Sequence, residues 1–136
     1  VYCSKQNNLL FSGDTLFRFG CGRIFEGTYD EMKSSLNKIK KLDDSINVYC
    51  GHEYTIHNLN FLKEIFHNDK MLEKIEKDIL KQIKNTKTSM PFNLGNEKRL
   101  NPFLSLKSPT YKNFMEKKGF DSKEMFRYLR DLRNNY

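Results

Sequence analysis

Two short stretches place reactive side chains at the ends of apolar runs. In LLFSGDTL (residues 9–16), Asp14 follows an apolar run and Gly13. In INVYCGHEYT (residues 46–55), His52 follows Ile46–Cys50 and Gly51. Short apolar runs closed by glycine read as strands. Each residue therefore sits at a strand's C-terminal end, on rigid backbone that faces a cleft. A carboxylate there can cap a helix, act as a base or bridge metal ions. An imidazole there can move a proton or ligate a metal. The matching positions suggest one shared site, but a metal needs at least three protein ligands. The other two histidines, His57 and His67, lie within or at the end of a helical pattern and read as structural or surface residues. Spacing alone leaves the chemistry open.

The elements that must position the pair follow from periodicity. Val1–Cys3 and Leu9–Ser12 read as strands around a turn at Lys5–Asn8. Four glycines between residues 13 and 27 read as a long loop. Thr28 and Glu31 form a capping box, and Tyr29, Met32, Leu36 and Ile39 follow on one helical face. After the strand at 46–50, Ile56, Leu59, Leu62 and Phe66 mark a second helix from Thr55. Leu72, Ile75, Ile79 and Ile83 make a stripe along 70–84, whose other positions are mostly Lys, Glu and Asp. Residues 86–99 are polar, contain Pro91 and Gly95, and read as a loop. Thr110 is the expected cap of a helix ended by Gly119, and Asp121 with Glu124 opens the last one. The fold class is thus α/β followed by an all-helical part. The boundary lies near His67, giving units of 1–67 and 68–136.

Composition bounds the partners. The 136 residues carry a formal charge of +7, with 30% charged residues and 38% hydrophobic ones. The lysines alternate with acids along helical faces, as a solvated face does, and no nucleic-acid signature is present. No run is long and apolar enough to cross a membrane. Cys3, Cys21 and Cys50 show no CxxC spacing, which excludes a zinc ribbon or thioredoxin motif. An odd number of thiols fits a reducing compartment better than a secreted disulfide framework. The expected location is the cytoplasm, or an organelle if a targeting segment lies upstream. A monomer is expected.

The combination LFSGDTLFRFGCGRIFEGTYDEM, VYCGHEYTIHNLNF and NPF, in that order, resembles glyoxalase II, hydroxyacylglutathione hydrolase. The resemblance runs over nearly the whole chain. It implies the second half of a metallo-β-lactamase αββα fold, followed by a helical glutathione-binding domain. It implies hydrolysis of S-(2-hydroxyacyl)glutathione thioesters such as S-D-lactoylglutathione, by a hydroxide held between two divalent metal ions: zinc, iron or manganese. By the same resemblance Asp14 bridges both metals and His52 binds one. The family's T-H-x-H-x-D-H motif does not occur in these residues, so the chain alone is expected to be an inactive piece.

The resemblance also places substrate-binding residues. Arg23 stands where the family usually has a lysine that contacts glutathione. Phe25 stands where relatives often have a tyrosine, so a hydroxyl is missing there. Tyr54 matches a tyrosine of the glutathione site. Arg130 and Arg133 match a basic pair for the glycine carboxylate, and their spacing of three puts them on one helical face. Met125, Leu129 and Leu132 are expected to turn to the core, leaving the arginines on another face. Two other readings compete: a persulfide dioxygenase of the same superfold, which lacks the appended helical domain, and a non-catalytic basic module that binds an acidic partner.

Overall fold

The computed structural model describes residues 1–24 and 26–136. β1 (Tyr2–Ser4) and β2 (Leu9–Gly13) form an antiparallel hairpin. β5 (Asn47–Cys50) pairs parallel with β2, so the chain crosses over between them through α1 (Tyr29–Lys40). A fourth strand, β6 (Phe92–Asn93), pairs antiparallel with β5 and completes the order β1-β2-β5-β6. A second, two-stranded hairpin, β3 (Leu16–Phe17) with β4 (Gly20–Cys21), follows β2 directly.

The helices begin where side chains can satisfy their free amides. In α1, Thr28 and Glu31 make both bonds of the capping box. After α2 (Thr55–Ile65) comes α3 (Lys70–Thr86), whose first turn is capped by the Asp69 side chain at the amide of Leu72. The chain then runs through α4 (Leu94–Leu100) and α5 (Pro109–Lys118) to α6 (Ser122–Asn134), which opens on the Asp121–Glu124 box. None of the helices is long and apolar enough to cross a membrane among the described residues.

One apolar core joins the parts. Leu10 and Val48 of the sheet, Leu59 and Leu62 of α2, Leu72 and Ile79 of α3, and Met125 and Leu129 of α6 belong to the same buried cluster.

Four expectations are corrected. The glycine-punctuated loop contains the β3–β4 hairpin. The polar stretch 86–99 contains β6 and α4, because the edge of β5 offers a ladder and the Asn93 side chain caps α4 at the amide of Asn96. Thr110 does not cap α5: Ser108 holds that position with Pro109 behind it, and the Thr110 hydroxyl donates to Asp69 Oδ2 at 2.6 Å. On α6, Leu132 is 39% exposed while Arg130 is only 2% exposed, the reverse of the expected division.

Candidate functional site

Asp14 and His52 come from adjacent parallel strands, and tight backbone packing brings them together. Gly51 donates its amide to the Gly13 carbonyl at 2.8 Å. A Cβ on Gly51 would strike the Asp14 carboxylate, and one on Gly22 would strike the Asp14 carbonyl. Glycine at 51 and 22 is therefore what lets three backbone segments cross beside Asp14. There, Asp14 Oδ1 lies 3.4 Å from His52 Nε2, and both side chains are exposed. Two donors on one zinc ion, each bonded at ~2.0–2.1 Å in a tetrahedron, lie roughly 3.3 Å apart. The observed spacing fits a shared cation, and an oxygen plus an imidazole nitrogen suits zinc, iron or manganese. Among the described residues no third His, Cys, Asp or Glu joins them. A complete centre needs donors from outside this set.

The pair lies on a cleft of about 800 Å³, whose lining also includes Phe17, Tyr54, Arg23, Arg130 and Arg133. Tyr54 stacks on His52, with ring centres 4.9 Å apart and planes 12° from parallel. Phe17 meets the Tyr54 edge at 5.1 Å, so the imidazole has an aromatic wall behind it.

Three arginines converge elsewhere on the cleft. Arg23 is exposed and donates to the Asn134 carbonyl at 3.2 Å. Arg133, half-buried, donates from Nε to Asn58 Oδ1 at 3.2 Å and lies over the rings of Phe61 and Tyr136. Its pKa is lowered by burial first, then by the like charges of Arg130 and Arg23. An anion bound here would offset that repulsion. Arg130 is held differently. Its Nη1 donates to the carbonyls of Cys21 at 2.6 Å and Gly22 at 3.2 Å, and its guanidinium sits over Phe103. Much of its donor capacity serves the fold. Burial raises the Cys21 pKa, which keeps it a neutral thiol.

The structure thus brings Asp14, His52, Tyr54, Arg23, Arg130 and Arg133 to one cleft; Phe25 lies outside the described residues. Five lining residues lie beyond those the sequence points to: Phe17, Cys21 and Gly22 from the glycine-punctuated stretch, and His57 and Asn58 from α2. A signal for the α2 pair is present in the sequence, since both follow Thr55 on the helix that starts beside His52.

Residues 53–136 match the hydroxyacylglutathione hydrolase C-terminus family. The chain belongs to the hydroxyacylglutathione hydrolases. It is 40% identical over 136 residues to the hydroxyacylglutathione hydrolase of Bartonella tribocorum and 41% identical to that of Bartonella quintana, covering 99% of this chain and 53% of each relative. The Nitrosomonas europaea hydroxyacylglutathione hydrolase is 36% identical over 140 residues, which is 100% of this chain and 53% of that protein. The chain spans about half the length of these hydrolases.

Proposed function

We propose that this chain supplies one part of the catalytic centre, and the glutathione-binding side, of an enzyme that hydrolyses S-(2-hydroxyacyl)glutathione thioesters to glutathione and a 2-hydroxy acid. The observation that carries this reading is the cleft itself. A carboxylate and an imidazole at the spacing of shared metal ligands line the same space as three arginines. Glutathione has two carboxylates and the scissile thioester is uncharged, so one cleft must offer cations for binding and a separate centre for chemistry. The names of the relatives fit this division.

Asp14 and His52 would hold divalent metal ions. Bound there, the ions would supply a water acidic enough to ionise near neutral pH and a positive field beside the thioester carbonyl. The chain's own groups do the rest. Tyr54 and Phe17 fix the His52 ring from one side. Arg133 and Arg23 hold the tripeptide carboxylates, and Arg130 anchors the carbonyls of Cys21 and Gly22 that precede Arg23.

The finer fold assignment belongs here too. Tyr2, Phe11 and Tyr49 form an exposed aromatic stripe across β1, β2 and β5, with centre separations of 6.3 and 5.7 Å. Such a face supports reading this sheet as one half of an αββα sandwich whose other sheet, with the remaining ligands, lies outside these 136 residues. Residues 68–136, the source of Arg130 and Arg133, form the glutathione-binding part, with β6 tying it to the sheet.

The test compares two thioesters in the complete protein. S-D-lactoylglutathione carries the carboxylates, and S-lactoylcysteamine does not. The former should show a kcat/KM roughly a hundredfold higher, from two charge-assisted contacts. Equal rates, or no hydrolysis of either, would overturn the reading.

A further inference from the structure

The turn of the β3–β4 hairpin is built from residues that do not favour it. Phe19 adopts a left-handed φ of +62° with its ring buried, a conformation costly for a bulky side chain. The turn is held from outside. Asn101 Nδ2 donates to the carbonyls of Phe17 at 3.2 Å and Gly20 at 3.1 Å. The Phe19 amide donates to Glu97 Oε2 at 3.0 Å, and Asn101 Nδ2 reaches the same oxygen at 3.0 Å. The Arg18 carbonyl accepts from Asn58 Nδ2 at 3.1 Å.

What hangs on this turn is the cleft. β3 carries Phe17, whose ring backs Tyr54 and His52. β4 and the next residue carry the carbonyls that hold Arg130. The hairpin is one short piece, so a shift of its turn moves the aromatic wall and the arginine support together.

We propose that Glu97, with Asn101, is a positioning residue for the thioester site, holding the β3–β4 turn and through it Phe17 and Arg130 in the geometry that binds substrate. The inference rests on the reading of the cleft given above. Burial raises the Glu97 pKa to about 7, while the Phe19 amide, Asn101 and the charge of Arg18 pull it back. The other titratable group facing it is the Tyr111 hydroxyl on α5, itself pushed up by burial and then by Glu97. The carboxyl therefore changes charge near neutrality. The closed turn is therefore favoured while Glu97 is protonated, and ionisation as pH rises favours its opening.

The experiment measures KM and kcat for S-D-lactoylglutathione between about pH 6 and 8, in the complete wild-type protein and in Glu97→Gln. In the wild type, KM should rise roughly threefold as pH rises through about 7, because ionisation of the buried carboxyl favours opening of the turn. In Glu97→Gln, KM should sit at the low-pH wild-type level throughout, with kcat within about twofold. A variant profile that keeps the wild-type limb, or a loss confined to kcat, overturns the proposal. Amide exchange of Phe19 in the wild type gives a readout that needs no variant. After correction for the intrinsic pH dependence, protection should be higher at pH 6 than at pH 8, and equal protection overturns the proposal. If the wild type does not hydrolyse the thioester, the reading of the cleft falls and this inference with it. Hydrolysis without the Glu97-dependent limb removes this inference alone.

Discussion

Replacing Glu97 by glutamine should change how stability depends on pH, by an amount the structure sets. Glu97 is 1% exposed, and its pKa is raised from 4.5 to about 7, mainly by burial. A group whose folded pKa is raised contributes stability that is fully present below its unfolded pKa. That contribution is lost as pH rises through the folded value. The window is therefore 4.5 to about 7. At ~1.4 kcal/mol per unit, the full swing is about 3 kcal/mol, and most of it falls between about pH 5 and 8. Glutamine does not titrate. Its amide also places a donor near Asn101 Nδ2, a fixed offset that does not vary with pH. The informative quantity is thus the difference in unfolding free energy, variant minus wild type, followed by urea denaturation across that range. It should rise with pH by about 2–3 kcal/mol. A flat difference would refute the claim that a buried carboxyl ionises in this turn.

Other perturbations separate binding from folding. Arg133→Ala should raise KM for S-D-lactoylglutathione about tenfold or more at nearly unchanged kcat, since the contact is the same in ground and transition states; steady-state kinetics of the complete protein checks it. Arg130→Ala should instead lower stability, by about 2–4 kcal/mol in urea unfolding, because it strands the carbonyls of Cys21 and Gly22. Gly51→Ala should push the Asp14 carboxylate aside and weaken metal binding by roughly ten- to a hundredfold, read as metal retained after dialysis against a chelator. Asp121→Ala removes the α6 cap and should cost about 1 kcal/mol, with KM unchanged if α6 stays docked.

Local chemistry was legible in the sequence. The Thr28–Glu31 and Asp121–Glu124 boxes are short-range signals, and both form as written. The apolar stripes of α1, α2 and α3 turn inward because helical period alone decides which face is apolar. That Asp14 and His52 share a place also follows from the sequence, since each ends a strand and the two strands pair. What was not legible depends on distant partners. Arg18 and Phe19 carry no turn signal; the hairpin exists because Glu97 and Asn101, about eighty residues on, satisfy its backbone. β6 forms in a polar stretch because β5 has a free edge. The fate of Arg130 illustrates the same limit. A spacing of three puts it near Arg133 on the helix, but burial depends on what that face meets. It meets the carbonyls of Cys21 in β4 and of the next residue, Gly22, so one arginine is sealed in while the other is only half-buried.

The most direct test of the central claim is metal content and turnover of the complete protein with Asp14→Ala, measured beside wild type. Asp14 Oδ1 and His52 Nε2 lie 3.4 Å apart, a spacing that fits a common cation. The variant is expected to lose bound metal, to lose S-D-lactoylglutathione hydrolysis by a factor of roughly a thousand or more, and to remain folded, since the side chain is exposed and buries no apolar surface. A variant that keeps both its metal and its turnover would show that Asp14 is not a ligand and that the chemistry lies elsewhere.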